Sequence, residues 1–436
     1  MSMKQLRKAI IIFCWLLAWA VLSRIIQNKI LLAGPIETLQ ALGKLVTTGF
    51  FWDACIGTIL RIATGYLAGM LLGILLASVS AGRSWMEEIL APVITLMKAV
   101  PVASVVVIFL IWWGSGNLGI AISFFMALPN FYLNTLEGIR STDKKLLEMA
   151  KVFAMPARNQ IFYIYRPALR PFWDSAIKLS VGMSWKAGVA AEVIGLPAKA
   201  IGEQLYMSKI YLETDKVFAW TLVIILLSQL FEKLCLKLWA TFTAWEPGCK
   251  SVAYEPGKQV TSVHLQNISV SYSDKQVLQN FSATYEPDKR YVLDSPSGSG
   301  KTTLLRAIAG LTRPDTGTVE TGNQKVGMLF QEDRLCKEYS ALKNVELVAV
   351  SRNAAKEHLL QLLDEADIYK PCKELSGGMK RRVALARAFA SGADILLLDE
   401  PYNGLDEENR MRVARYIEEK GQNKVVIMAS HIGSHA

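Results

Sequence analysis

The chain has 436 residues, enough for at least two domains, and 52% of them are apolar while 20% are charged. The long apolar runs all lie before residue 242, and the sequence after residue 258 has the composition of an ordinary globular domain. The net charge of +10 lies largely in loops between the apolar runs, which favours a membrane protein and excludes nucleic acid as the expected partner. We therefore expect a membrane part followed by a soluble part.

Six apolar stretches can cross a bilayer, which takes about 20 residues in a helix. They lie at residues 9–26, 54–80, 89–113, 118–136, 172–194 and 217–239. The third stretch contains Pro92 and Pro101, and the fifth contains Lys178, Lys186 and Glu192, all of which are costly in a spanning helix. The sequence predicts an all-α transmembrane domain of six helices over residues 1–243.

Basic residues set the expected orientation, because cytoplasmic loops carry an excess of lysine and arginine. Lys4, Arg7 and Lys8 precede the first stretch, and the loop at about 137–171 carries seven lysines and arginines. Both regions are therefore predicted to be cytoplasmic. Six spans that start inside also end inside, so the soluble domain is expected in the cytoplasm.

The first stretch has a second interpretation. Its basic start, its apolar run and the sequence Ala18-Trp19-Ala20 also fit a secretory signal with a cleavage site. Cleavage would leave the later spans oriented as before, so topology does not decide between a retained span and a removed signal.

The charges of the fifth stretch leave three readings open. Lys186 and Glu192 are six residues apart and do not share a helical face, whereas Lys178 and Lys186 are eight apart and nearly do. Charged residues inside a membrane face a cavity or a partner. Guidance of an anionic substrate, a structural ion pair and snorkelling to the interface all fit this pattern.

A linker is predicted at residues 244–259, where Glu-Pro-Gly occurs twice, because proline and glycine interrupt regular structure. The soluble domain then runs over residues 260–436.

The stretch "SPSGSGKTT" at 295–303 predicts a phosphate-binding loop. It follows the β-type run "RYVLD" (290–294) and precedes the helical pattern "TTLLRAIAG" (302–310), the arrangement that this motif requires. Lys301 is expected to reach the β- and γ-phosphates and Thr302 to bind Mg²⁺. The residues expected to contact nucleotide here are Ser295, Ser297, Gly298, Ser299, Gly300, Lys301, Thr302 and Thr303. Ser295 stands where the motif has glycine, which would cost ~1–3 kcal/mol if the position demanded a glycine-only backbone.

The run "ADILLLDEP" (393–401) predicts a buried strand that ends in two carboxylates. Asp399 is expected to hold Mg²⁺ through water. Glu400 is expected to orient or deprotonate the water that attacks the γ-phosphate.

The string "LSGGMKRRVALARA" (375–388) places Ser376, Gly377 and Gly378 where a helix begins, which suits an anion. It resembles the signature motif of ATP-binding cassette (ABC) ATPases. The resemblance implies an α/β P-loop NTPase fold, ATP and Mg²⁺ as cofactors, and a second copy of the chain. In that family the signature of one copy closes over the phosphate loop of another, so a homodimer is implied.

The same resemblance assigns four further residues. Gln331 in "GMLFQED" is similar to the glutamine that senses the γ-phosphate, binds the metal and contacts the membrane domain. Asp406 in "NGLD" resembles the D-loop aspartate, and His431 after "VVIMAS" resembles the switch histidine. Tyr272 in "SVSYS" lies where an aromatic side chain normally stacks on adenine.

The segment "LLEMAKVFAMPARNQIFYIYRPALRP" (146–171) resembles the EAA coupling loop of ABC importer permeases. Glu148 and Ala150 match that pattern. Ala154 stands where the family has glycine, and Pro167 follows Arg166 where the family has Leu-Pro. With residues 58–76, 99–117 and 185–195, the chain resembles permeases of the nitrate/sulfonate/taurine-type importers.

Together the resemblances imply a half-transporter in the plasma membrane of a prokaryote, with a permease fused to its ATPase and two chains forming the pump. Its substrate would be a small solute, such as a sulfonate, nitrate or a vitamin precursor, brought by a separate extracellular binding protein. An exporter of amphiphiles, an ATP-driven mechanical regulator and a catalytically silent ATP-binding scaffold are the alternatives.

Overall fold

We analysed a computed structural model of the chain, which describes residues 3–28, 30–252, 260–272, 275–296 and 298–430. It contains two compact units. The first comprises Met1–Ser141 and Ala168–Trp245, and the second comprises Thr142–Pro167 and Glu246–Ala436. A short segment from the middle of the predicted membrane domain thus belongs to the same unit as the predicted ATPase.

The first half of the chain is helical. Its helices are α1 (Met3–Ile26), α2 (Pro35–Val46), α3 (Gly49–Gly82), α4 (Ser84–Ala99), α5 (Val102–Arg140), α6 (Lys144–Val152), α7 (Ala157–Gln160), α8 (Arg166–Gly195), α9 (Ile201–Ile210) and α10 (Thr214–Ala244). A single π-helical turn, Ile161–Tyr165, joins α7 to α8. Helices α6 and α7 lie in the second unit.

Three of these helices, α3, α5 and α10, are long and apolar enough to cross a bilayer, and Ile10–Ile26 of α1 is a shorter apolar helix. Helix α8 is long enough but carries Asp174, Lys178 and Lys186 within one stretch of 18 residues. The predicted spans at 9–26, 54–80, 172–194 and 217–239 therefore coincide with helices, and the chain is a multi-pass membrane protein.

The predicted third span, 89–113, is wrong as one continuous helix. It breaks at Val100 and Pro101 into the end of α4 and the start of α5, because proline cannot continue the hydrogen bonding of the preceding turn. At Gly114, with φ of 72°, the backbone leaves the helical region inside α5. The rings of Phe109 and Phe125 pack at 5.9 Å, although a straight helix would hold these residues about 24 Å apart. The chain therefore reverses at Gly114, which separates the third stretch from the fourth.

Helices α3 and α5 pack closely through a row of glycines. A Cβ placed on Gly65, Gly69 or Gly73 would lie only 2.1 to 2.8 Å from a carbonyl oxygen of α5. Small residues let helix backbones approach in this way, and membrane proteins use them because burial of apolar side chains gives little drive in lipid.

Glu192 of α8 is fully buried and pairs with α3 rather than with a lysine of its own helix. Its carboxylate accepts from Thr58 Oγ1 at 2.7 Å and lies 3.3 Å from Arg61 NH1. Arg61 also donates to the carbonyl oxygens of Ala198 and Lys199. Of the readings that the sequence left open, a structural ion pair therefore holds for Glu192, while Lys178 and Lys186 are exposed.

The second unit carries two sheets. Its strands are β1 (Val263–Tyr272), β2 (Lys275–Tyr285), β3 (Arg290–Asp294), β4 (Thr316–Glu320), β5 (Val326–Leu329), β6 (Ile395–Asp399) and β7 (Val425–Ser430). An antiparallel sheet has the order β2-β1-β4, and a parallel sheet has the order β3-β7-β6-β5. Strands β6 and β7 are buried throughout, as the apolar runs "ILLL" and "VVIM" require.

Around these sheets, the described residues of the second unit form six α-helices and a 3₁₀ turn in addition to α6 and α7. They are α11 (Lys301–Ile308), α12 (Ala341–Glu346), α13 (Arg352–Leu360), α14 (Glu365–Ile368), a 3₁₀ turn at Cys372–Glu374, α15 (Gly377–Ala390) and α16 (Glu407–Lys420). Because β3 leads into α11 and β6 ends beside it, the carboxyl ends of these parallel strands meet at one edge, where ligands of α/β proteins bind.

Candidate functional site

The loop after β3 has the geometry of a phosphate cradle. Gly298 and Gly300 have φ of 84° and 92°, a region that glycine enters freely. A Cβ on Gly300 would also lie 2.9 Å from Leu278 Cδ2. Gly300 directly precedes α11, so backbone N–H groups and the positive end of the helix are available for phosphate. The ammonium of Lys301 lies over the loop and donates to the carbonyl oxygen of Ser295.

Ser295 does not strain this loop. Its backbone lies outside the left-handed region that favours glycine. Its hydroxyl is 2.8 Å from the hydroxyl of Ser299, so the side chain closes the loop on itself. The backbone strain considered for a serine at this position is therefore absent, because the position does not use a glycine-only conformation.

Thr302 and Asp399 meet at the predicted metal position. Thr302 Oγ1 donates to Asp399 Oδ2 at 2.9 Å, although the two residues are 97 positions apart. Asp399 is 2% exposed, and this burial raises the pKa of its carboxyl while the hydrogen bond from Thr302 opposes the rise. A hydroxyl and a buried carboxylate are the hard oxygen donors that Mg²⁺ takes beside phosphate, so the residues present fit that ion.

Glu400 follows in an unusual backbone conformation, with φ of 52°. Non-glycine residues in this region cost ~1–3 kcal/mol and concentrate at functional sites. The peptide groups on both sides are fixed, because Glu400 N donates to Ala429 O at 2.9 Å and Glu400 O accepts from Arg381 NH2 at 2.9 Å. Asn403 Nδ2 donates to the carboxylate at 3.1 Å and so helps to orient it.

Two buried arginines of α15, which sequence reasoning missed, connect this edge of the sheet. Arg381 donates to the carbonyl oxygens of Phe330 and Asp399 and lies 3.1 Å from Asp333 Oδ1. Arg387, fully buried, donates to the carbonyl oxygens of Asp333 and Arg334 at 2.8 and 2.7 Å. Their signal in the sequence was basic side chains on the apolar face of a predicted helix, where a charge needs partners.

The signature string begins α15 as predicted. Ser376 caps the helix, and its hydroxyl accepts from Met379 N at 3.2 Å. Ser376 and Gly377 are exposed, and a Cβ on Gly377 would meet nothing within 4 Å. The start of the helix is therefore open to a second molecule.

The other predicted nucleotide contacts are dispersed. Tyr272, at the end of β1, is 48% exposed, with its hydroxyl 3.4 Å from that of Thr312. Gln331 is exposed, and its carbonyl oxygen accepts from Arg381 at 3.3 Å. Asp406 caps α16 by accepting from Asn409 N at 2.9 Å, and this bond lowers the pKa of its carboxyl. Thr303 is buried within α11.

Two predicted residues, Ser297 and His431, lie outside the described residues. Their contacts to nucleotide remain predictions.

The predicted coupling segment is docked against the ATPase fold. Arg306 of α11 donates to both oxygens of Glu148 at 3.0 and 2.9 Å, and Arg334 donates to Oε2 at 2.7 Å. These hydrogen bonds and charges lower the pKa of Glu148 to about 2. One carboxylate thus joins α6 to the helix of the phosphate loop and to the segment that follows Gln331. Neither arginine was predicted from the sequence as a partner of Glu148.

Apolar packing completes this docking. Met149, Ala150, Phe153, Met155 and Tyr163 are buried in the same hydrophobic core as the strands of the second unit. Ala150 fits because a small side chain is needed where α6 enters that core.

Ala154 and Pro167 flank the docked part. Ala154 has φ of 47°, which explains why glycine is typical at this position, and it is exposed. Pro167 is the second residue of α8 and follows the π-helical turn, where the regular hydrogen bonding of an α-helix is already interrupted.

Asn159 fastens the predicted linker to the same unit. It is fully buried, donates to Leu347 O at 2.9 Å and Lys250 O at 2.8 Å, and accepts from Lys250 N at 2.9 Å. Val252 N also donates to Ala349 O at 3.1 Å. The described part of the linker beyond Trp245 therefore lies against the second unit.

Comparison with known proteins agrees with both units. Residues 278–403 match the family model "ABC transporter", and residues 69–233 match "Binding-protein-dependent transport system inner membrane component". The first match spans the phosphate loop, the signature and Glu400. The second spans the segment that carries Glu148.

Individual relatives match the ATPase part. The aliphatic sulfonates import ATP-binding protein SsuB 1 of Rhodococcus jostii is 38% identical over 187 residues, which cover 40% of this chain and 75% of that protein. The taurine import ATP-binding protein TauB of Pseudomonas fluorescens is 34% identical over 39% of this chain and 71% of that protein. The Nod factor export ATP-binding protein I of Burkholderia lata is 32% identical over 41% of this chain and 65% of that protein.

A phosphate cradle, a buried Thr302–Asp399 pair, a signature helix and a docked coupling segment thus occur in one polypeptide with two matching family models. The chain belongs to the ABC transporter family, as an importer-type permease fused to the ATPase whose ATP hydrolysis drives transport.

Proposed function

We propose that two copies of this chain form an importer of small anions, sulfonates above all, which a separate extracellular binding protein delivers. The observation that carries the proposal is the contact of Glu148 with Arg306 and Arg334, because it ties an importer-type coupling segment to the nucleotide site. Sulfonates are proposed as the substrate because two relatives are named for the import of aliphatic sulfonates and of taurine.

ATP is held and cleaved by residues at the carboxyl edge of the parallel sheet. The loop amides around Gly298 and Gly300 bind the phosphates, and Lys301 neutralises their charge. Glu400, oriented by Asn403, holds the attacking water and accepts its proton. Arg381 holds the peptide groups of Asp399 and Glu400 in a fixed position relative to the segment before Gln331, because it donates to carbonyl oxygens of both segments. His431 and Tyr272 are proposed to contact the γ-phosphate and the adenine.

Thr302 and Asp399 would hold Mg²⁺, with Gln331 as a further oxygen donor. When bound, the ion neutralises charge on the β- and γ-phosphate oxygens.

The coupling segment transmits the nucleotide state through the chain itself. Residues 142–167 continue directly into α5 on one side and α8 on the other. When nucleotide moves α11 or the segment after Gln331, Glu148 is moved by Arg306 and Arg334, and the ends of α5 and α8 follow. Alternating access in the plasma membrane of a prokaryote is the expected result, with the ATPase in the cytoplasm.

The test is vanadate-sensitive ATP hydrolysis by the purified full chain in lipid, with Glu400→Gln as the matched control. We expect turnover in the wild type and a loss of about 100-fold or more in the variant, with ATP binding retained. Binding of ATP without any turnover would leave the catalytically silent scaffold, and absence of ATP binding would contradict both the proposal and that scaffold.

Direction of transport needs its own experiment, because one relative is an export protein. Vesicles with the ATPase facing outward would receive ATP outside, and a labelled alkanesulfonate would be supplied inside together with candidate binding proteins. Efflux that requires a binding protein inside supports import in the cell. ATP-driven accumulation of an amphiphile without any binding protein would instead support the exporter.

A further inference from the structure

One face of α8 is open in the described structure and carries two lysines beside the exposed apolar side chains of Leu179 and Met183. Lys178 and Lys186 are exposed on it, and a Cβ on Gly182, midway between them, would meet nothing within 4 Å. Glu192 is buried on the same helix, about 120° around the axis from Lys186. Because 178, 182 and 186 are spaced four apart, all three lie along nearly the same line of the helix.

The two lysines have no carboxylate partner among the described residues. The ion pairs of the first unit are Arg61–Glu192, Arg140–Glu87, Lys199–Asp53 and Lys216–Glu213. Asp174, one turn before Lys178, is engaged by Trp239 Nε1 at 2.5 Å. Both ammonium groups therefore keep their full hydrogen-bonding capacity for another molecule.

Polar groups of α5 border the same face. Asn130 Nδ2 lies 3.8 Å from Met183 Sδ on α8, and Asn134 Nδ2 donates to Asn130 O at 2.9 Å. Two amides beside two lysines do not suit lipid chains, whereas the exposed side chains of α3 are mainly apolar, among them Leu60, Leu67, Leu71 and Leu75. The lysine face of α8 therefore suits water or a polar ligand, whereas the exposed side of α3 suits lipid.

Snorkelling does not account for Lys186. It lies eight residues, or about 12 Å, before Ile194 and farther still from Phe172, the ends of the apolar stretch. That distance exceeds the reach of an extended lysine side chain, so the ammonium would stay at membrane depth unless water or a ligand met it there.

We propose that Lys178 and Lys186 line the aqueous path of the transporter and bind the acid group of an anionic substrate as it passes. The inference rests on the proposed import of an anion and names the residues that would select it. Two cations about 12 Å apart on one helix, flanked by amide groups, suit a small oxyanion such as a sulfonate rather than a cation or a neutral amphiphile.

Thiol accessibility tests this without requiring turnover or the binding protein. Lys186→Cys and Lys178→Cys would be made in the full chain, reconstituted in lipid, and exposed to two methanethiosulfonates, one carrying a sulfonate and one a trimethylammonium group. Each rate is divided by that of the same reagent with free 2-mercaptoethanol. The reaction of wild type measures the contribution of the native cysteines, and Leu71→Cys is the control for a lipid-facing position.

We expect both introduced thiols to react while Leu71→Cys does not, with the sulfonate reagent favoured at least threefold because the remaining lysine attracts it. Adding Lys178→Gln to Lys186→Cys should remove that preference. Equal rates for the two reagents would overturn the anion site, and no reaction at either position would show that lipid or protein covers this face. The hydrolysis assay of wild type separately reports whether the pump itself fails.

Discussion

Three residues have an unexpected identity or backbone conformation. The backbone strain at these three positions differs. Ser295 replaces glycine at no cost, since its φ is ordinary, while Ala154 replaces glycine at a position where φ is 47°. Glu400 takes a strained conformation with φ of 52°, and its neighbours fix both adjacent peptide groups. Sequence alone shows each residue type, but only the backbone shows which of them is under strain.

The phosphate loop gives a paired prediction. Ser295→Gly should leave ATP affinity within about twofold of wild type, because no strain is relieved and only the exposed Ser299 contact is lost. Gly300→Ala should weaken ATP binding about tenfold or more, since alanine at φ of 92° is strained and its Cβ meets Leu278. A fluorescent ATP analogue titrated into each variant measures both. Tighter binding by Ser295→Gly would contradict the geometry.

Ala154→Gly should stabilise the second unit by about 1 kcal/mol, because the side chain is exposed and its backbone is left-handed. That corresponds to a rise of about 2–4 °C in the melting temperature of a unit of this size. Differential scanning calorimetry of the full chain in detergent measures it, because all 11 tryptophans lie in the first unit and would not report on the second. Ala157→Gly, an exposed position at the start of α7, is the control and should not rise.

Helix α6 is attached to the ATPase fold by charge as well as by apolar packing. The pKa of Glu148 is lowered to about 2, so its stabilising contacts are complete above the unfolded value near 4.3 and are lost as the pH falls toward 2. Between pH 6 and 8 the attachment should not vary with pH through this group.

A pH series on Glu148→Gln tests this. The melting temperature of wild type should exceed that of the variant by a constant amount above about pH 5.5, and the difference should shrink below about 4.3. Glu338→Gln, which removes an exposed carboxylate paired with Lys373, is the control. A difference that instead grew on acidification would show that Glu148 is held by something other than Arg306 and Arg334.

Much of the fold and of the nucleotide site followed from sequence, because glycine spacing, caps and apolar runs are local signals. The strand before Ser295, the helix after Gly300 and the cap at Ser376 were all predicted near their observed bounds. The partners of Glu148 and Glu192 were not, because contacts across more than a hundred residues depend on packing that no local pattern encodes.

In the homodimer that we propose, a complete nucleotide site needs two chains, because the exposed start of α15 is open to the second copy. Each site of a homodimer would combine Lys301 of one copy with Ser376 of the other. Lys301→Ala and Ser376→Arg should each abolish turnover alone, yet a dimer carrying one of each retains one site with both residues intact. Co-expression with two affinity tags isolates that mixed dimer.

We expect the mixed dimer to trap nucleotide with vanadate at about half of the wild-type level, following from one intact site in two. Either variant alone should trap almost none. If the mixed dimer also trapped none, the site would not be shared between chains in this way.

The docked segment at residues 142–167 is synthesised well before the core that buries it. Its buried side chains, among them Met149, Phe153 and Tyr163, leave the ribosome more than 220 residues before α15 is complete. At roughly 5–20 residues per second, this segment waits on the order of 10–45 s for the core that will cover it. A ribosome that stalls or stops after residue 245 therefore leaves an inserted membrane domain with an apolar loop uncovered. Chaperones and proteases act on such an exposed apolar loop. Because permease and ATPase are one polypeptide, each permease domain is followed in synthesis by the ATPase core that buries this loop.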